Sequence, residues 1–223
     1  MKLTRIGHAC VLLEGGKNIL IDPFITDNPA SKHTLEDLPK LDYILVSHDH
    51  FDHFGTDAIE LAKRDGAKLV AVHEITVKPE VADSGIEAVG MNIGGTYSEE
   101  GVDVALTNAV HSSDDGDPTG IVVTIDGVRV YHAGDTDLFS DMSLISDLHG
   151  DIDVALLPIG GHYTMDEQGA AKAASLIAPG LVVPIHYDTF PPIEADTEYF
   201  SKLCGDLNIE VEIVDPAESI DIS

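Results

Sequence analysis

Apolar residues in this chain come in short runs bounded by glycine, asparagine and aspartate, a pattern of strands rather than of long helices. Residues 11–22 read as two strands around the turn Gly15-Gly16-Lys17-Asn18, ending on Asp22. Residues 121–135 repeat that order: strand, Asp126-Gly127 turn, strand and terminal Asp135. Two further apolar runs, 42–46 and 69–72, find counterparts at 153–157 and 181–184. The offset stays close to about 112 positions, half the chain. Residues 56–64 and 165–178 carry small and apolar side chains at helical spacing, so each half reads as a β-rich unit with a helix.

One such half would expose a face of its sheet. The simplest closure packs two sheets together with helices outside, an α/β four-layer αββα sandwich. The expectation is one domain over 1–223, built from pseudo-repeated halves of about 1–115 and 116–223.

The chemistry concentrates after the run 43–46, where His48, His50, Asp52 and His53 fall within six positions. In extended backbone alternate side chains share a face, so His48 and His50 can grip one ion while Asp52 and His53 reach past it. Imidazole and carboxylate without cysteine suit zinc, manganese or iron. Two ions need six or more protein ligands. His111, Asp135 and His186, each at the end of an apolar run, are the candidates to complete the set, with Asp135 placed to bridge. Asp22, the repeat counterpart of Asp135, is a candidate acceptor fixing the tautomer of a ligand imidazole. His132 reads as a packed or supporting residue, and His33, His73 and His149 as loop or surface residues. Adding the repeat offset to His50 gives His162, so the loop around it should face the metal loop across one cleft. His162 is the first candidate to protonate a leaving group and His8 the second.

Composition narrows the partners. Forty acidic against twelve basic residues leave a formal charge of −28, which opposes extended nucleic acid and anionic membrane surfaces. A small-molecule substrate is expected, and a homo-oligomer is allowed. Such a charge suits a salty interior, where screening relieves self-repulsion. Residues 1–8 lack the apolar core of a signal peptide, and no apolar stretch is long enough to span a bilayer. With Cys10 and Cys204 far apart, a cytoplasmic location is expected.

The spacing His48-x-His50-x-Asp52-His53, with His111, Asp135 and His186 later, resembles the metallo-β-lactamase superfamily of dinuclear metal hydrolases. Residues 6–10, 21–24, 131–136 and 157–161 are similar to its compact branch of metal-dependent hydrolases, akin to the ascorbate-6-phosphate lactonases. The resemblance implies that His48, His50 and His111 hold one ion, that Asp52, His53 and His186 hold the other, and that Asp135 bridges them. It also sets His8 in a family motif near the cleft. His162 departs from the smaller polar residue expected in that branch.

The function this implies is a dinuclear hydrolase in which a metal-bridging hydroxide attacks a small ester, lactone or phosphodiester. Asp52, Asp135, His162 and His8 are its catalytic candidates, and two divalent ions, zinc first and manganese or iron next, are its cofactors. The rivals are a nuclease or phosphodiesterase acting on nucleic acid, a di-iron redox enzyme and a non-catalytic metal-binding protein. The charge opposes the first, and His50 stands where the second would place a carboxylate. Crowded unpaired histidines and carboxylates would be costly without an ion, which opposes the third.

Overall fold

The computed structural model describes residues 1–223, folded as two β-sheets face to face between two layers of helix. Along the chain run β1 (Lys2–Gly7), β2 (Cys10–Glu14), β3 (Asn18–Ile21), β4 (Tyr43–Leu45), α1 (Thr56–Asp65), β5 (Lys68–Val72), α2 (His73–Thr76), α3 (Pro79–Ala82) and β6 (Ala88–Met91). Then come β7 (Thr96–Glu99), β8 (Val102–Asn108), β9 (Thr119–Ile125), β10 (Val128–His132), α4 (Leu144–His149), β11 (Val154–Pro158), α5 (Glu167–Ile177), β12 (Leu181–Ile185), α6 (Thr197–Asp206) and β13 (Ser219–Asp221). One sheet has the order β13-β1-β2-β3-β4-β5-β6, the other β12-β11-β10-β9-β8-β7.

The pseudo-repeat is visible in the pairing. β2 and β3 are antiparallel while β3, β4 and β5 run parallel. β9 and β10 are likewise antiparallel, and β10, β11 and β12 run parallel. The change of sheet, however, falls between Met91 and Thr96 rather than near residue 115, and β13 returns to pair with β1. The sequence offset follows the matched inner strands only. β7 precedes the repeat signal because it has too little apolar alternation to announce the second sheet, whereas β8 alternates clearly through Val102, Val104 and Leu106.

Period-two burial builds the layers. Ile19 and Ile21 of β3, with Ile121, Val123 and Ile125 of β9, fill the space between the sheets. Leu20 points the other way, onto Leu61 and Ala62 of α1, and Val122, Ala155 and Leu157 lie under α4, α5 and α6. α1 ends cleanly because Gly66 takes the left-handed conformation at φ 69° and its N–H caps the Ala62 carbonyl. No helix is long and apolar enough to cross a membrane.

Candidate metal centre

Every candidate ligand leaves from a strand end on one edge of the sandwich. After β4 the chain turns so that the N–H groups of His53 and Phe54 both donate to the His50 carbonyl at 2.9 Å. That turn folds His53 back beside His48, with ring centroids 4.2 Å apart. His111 follows β8, Asp135 follows β10, and His186 follows β12. Three non-glycine residues here take left-handed backbone, Asp22 at φ 48°, His8 at 57° and His186 at 54°. Each spends conformational energy, about 1–3 kcal/mol, to aim its side chain into the site.

Ligand atoms gather in two outer groups and a third, His48 with His53 and Asp135, that overlaps both. His48, His50 and His111 converge in one, with Nε2 of His48 3.0 Å from Nδ1 of His50. Asp52, His53 and His186 form the other, joined by His8. Asp135 stands between them. Its Oδ1 lies 3.2 Å from His53 Nε2, and its Oδ2 lies 3.1 Å from His186 Nε2 and 3.5 Å from His111 Nε2.

The surroundings fix which nitrogen faces inward. Asp22, fully buried, accepts from the Ser47 N–H and hydroxyl at 2.7 Å each, and from His53 Nδ1 at 2.7 Å. With one proton held there, Nε2 is the His53 nitrogen left to face Asp135 and an ion. Ser47 Oγ, having donated to Asp22, accepts from His48 Nδ1 at 3.0 Å and leaves His48 Nε2 bare in the same way. His132 donates from Nε2 to the Ala9 carbonyl at 2.8 Å and accepts from the Gly134 N–H at 3.1 Å. That braces the backbone just before Asp135.

The donors fit a metal. His53 Nε2, Asp135 Oδ1 and His186 Nε2 are buried without hydrogen-bond geometry, the two nitrogens 3.2 and 3.1 Å from the Asp135 carboxylate, and His186 Nδ1 is buried with no partner. Orphaned buried polar atoms cost about 1–3 kcal/mol each, and cations among them remove that cost. Proton equilibria say the same. Burial opposes charge on His53, yet the carboxylates of Asp135 and Asp22 hold its pKa well above the usual imidazole value. Burial would likewise raise Asp135, but His53 and His186 keep it well below the ordinary carboxylate range. The site draws positive charge inward. Burial first, and then repulsion from His53, drive His48 down to about 3, so it stays a neutral donor.

Of the candidates from sequence, His48, His50, Asp52, His53, His111, Asp135 and His186 meet at this centre, with His8 at its edge. His8 lies inside the fold. It sits in the turn after β1, fully buried, with Nε2 3.1 Å from Asp52 Oδ2 and Nδ1 2.9 Å from the Thr189 hydroxyl. Burial lowers its pKa to about 4, so the neutral ring donates to Asp52 and accepts from Thr189. Both nitrogens are engaged, one with Asp52 and one with Thr189. His162 lies farther out. Its loop reaches the cleft as the repeat implied, but the ring is exposed, edge-on to Tyr163 at 4.5 Å, and Tyr163 is the side chain that lines the cleft.

A match to known proteins agrees with this geometry. The model of the beta-lactamase superfamily domain covers residues 17–187. The chain belongs to the beta-lactamase superfamily. Within the superfamily it is 48% identical, over the full length of both chains, to a UPF0173 metal-dependent hydrolase of Thermococcus kodakarensis. A solved metallo hydrolase of Ignicoccus hospitalis is 46% identical and superposes with a TM-score of 0.91, over 98% of this chain and 97% of that one. A metallo-beta-lactamase fold protein of Bacillus subtilis, 14% identical, shares the fold alone at a TM-score of 0.74, over 98% of each chain. This superfamily member is accordingly a metal-dependent hydrolase with the metallo-β-lactamase fold.

Sequence reasoning missed Ser47, Thr189 and Asp49. Asp49 carried a usable signal: between His48 and His50 in extended backbone, it must point away from the metal face.

Proposed function

We propose that the chain works with two divalent ions, zinc first among them, to hydrolyse a small ester, lactone or phosphodiester. One observation carries this reading. The carboxylates of Asp22, Asp52 and Asp135 are buried or nearly so, and their only ionisable partners are histidines. Three negative charges there need more than one cation. When bound, such ions lower the pKa of water towards about 7 and stabilise the oxyanion of the attacked group.

His48, His50 and His111 would hold one ion, and Asp52, His53 and His186 the other, with Asp135 shared. Asp22 keeps the His53 proton on Nδ1, and Ser47 does so for His48. His8 holds Asp52 through Oδ2, fixing which carboxylate oxygen stays free. A cleft of about 550 Å³ opens over Asp52, His111, Asp135 and His186, of a size for a small molecule. Buried free thiols at Cys10 and Cys204 support a cytoplasmic setting.

The test is metal analysis together with a panel of lactones, thioesters, phosphodiesters and sugar phosphates. Chelation should abolish turnover and lower Tm, because the ions bind the folded chain and not the unfolded one. Asp135→Ala should bring bound metal down to one ion per chain or less and remove activity. Full occupancy at the wild-type rate would refute the shared role, and no turnover by the fully loaded protein would favour a non-catalytic metal protein.

A further inference from the structure

The walls of the cleft differ in kind from its floor. The floor is histidine and carboxylate, whereas Phe51, Tyr163, Phe190, Pro192 and Ile193 form the sides. Phe51 is 72% exposed and Tyr163 59% exposed. Single exposed apolar residues are ordinary on a protein surface. Here they face one cleft, and Phe51 is fixed at its rim by edge contact with Phe24 at 5.9 Å, which itself lies 6.5 Å from Phe190.

Equally informative is the charge of the walls. None of the twelve lysines and arginines lines the cleft. Lys78 stands in the adjoining groove that shares His50 and Phe51, and it is held by Asp49 at 2.8 Å and Asp115 at 2.7 Å. A substrate carrying a remote phosphate or carboxylate needs arginine, lysine or a cluster of free N–H groups to replace its hydration. Such a group would instead meet aromatic rings in the field of a chain of charge −28.

Resting on the dinuclear hydrolase reading, we propose that the substrate is an uncharged carbonyl ester or lactone whose non-reacting part is alkyl or aryl. That part lies between Phe51, Tyr163 and the Phe190–Ile193 segment. The reaction is redox-neutral. Water forms the new acyl C–O bond as the bond to the alcohol oxygen breaks; one of its protons goes to the alcohol oxygen and the other to solvent, and the product leaves as a carboxylate, a single hydroxy acid anion where the substrate is a lactone. The same negative field that disfavours anionic substrates then favours release of this product.

A series of γ-alkyl-γ-butyrolactones, from methyl to hexyl, tests the proposal on the metal-loaded protein, beside a lactone carrying a phosphomonoester. Each methylene buried should raise kcat/KM roughly four-fold. The phosphorylated lactone should fall below the neutral one of equal size by about a hundred-fold or more. The matching γ-lactams, which are not turned over, should show the same chain-length slope in Kd by calorimetry. Phe51→Ala and Tyr163→Ala, checked for metal content, should flatten that slope in KM and in lactam Kd. A flat series, or preference for the phosphorylated lactone, overturns the proposal while leaving the hydrolase reading in place. Lactam slopes without hydrolysis of any lactone would do the reverse.

Discussion

Asp49 shows how much of this site depends on a side chain that never faces the metal. Its Oδ1 accepts from the Ser113 hydroxyl and the Asp114 N–H, and its Oδ2 from the Asp115 N–H, all at 2.9 Å, with Lys78 closing the pair at 2.8 Å. The loop after His111 is thereby latched to the segment carrying His48 and His50. Asp49→Ala should leave the seven ligands in place chemically but loosen His111, weakening metal binding about 10–100-fold, as loss of supporting contacts does elsewhere. Chelator competition measures it, and unchanged affinity would show that the latch is dispensable. At this scale the sequence was uneven. Ligand types and spacing were legible because alternation in extended chain is a fixed geometry. His8 was not, since nothing local marks a histidine at φ 57° as buried. The offset from His50 lands on His162, one position short of the Tyr163 that lines the cleft, because an offset measured on paired strands loses register inside a loop.

Elements place these residues by ending where they do. β10 stops at His132, and the chain passes Ala133 and Gly134 before delivering Asp135. Gly134 has φ 60°, and a Cβ there would sit 2.6 Å from the Thr119 carbonyl oxygen and 2.9 Å from Ser47 Cβ. Both neighbours are committed, Thr119 in β9 and Ser47 to Asp22. Gly134→Ala therefore combines left-handed strain with overpacking and should cost about 2–4 kcal/mol. Urea denaturation reads that loss, and metal analysis should show Asp135 displaced; a change under about 1 kcal/mol would mean the turn can shift freely. Strand pairs and the helices α1 and α5 were readable from periodicity, as was the sandwich they imply, but α6, as long as α1, was not read. β6, β7 and β13 were not. Ala88 and Val89 are only partly buried, and β13 has Ile220 half-buried between exposed neighbours, so burial leaves little pattern to read.

The whole molecule carries its charge unevenly matched, forty acidic groups against twelve basic ones. Lys2, Lys17, Arg64, Lys68, Lys78 and Lys202 are already in ion pairs with carboxylates, so most acidic groups have no basic partner. Folding brings these charges together, and the compact state bears more repulsion than the expanded chain. Salt acts on two terms of opposite sign. It weakens the surface pairs, each worth about 0–1 kcal/mol, and it screens the far more numerous like-charge contacts as the Debye length falls from about 10 Å at 0.1 M to about 3 Å at 1 M. With the imbalance this large the second term wins. Raising KCl from 0.1 M to 1 M should stabilise the fold by about 1 kcal/mol or more, or roughly 2–4 °C in Tm for a chain of this size. Glu60, Asp103 and Glu210 are exposed and form no ion pair, so replacing all three by their amides should make the salt dependence shallower. An invariant Tm in the wild-type chain would mean that repulsion is already relieved at low salt. An equally steep dependence in the triple variant would assign the effect to hydration rather than to charge.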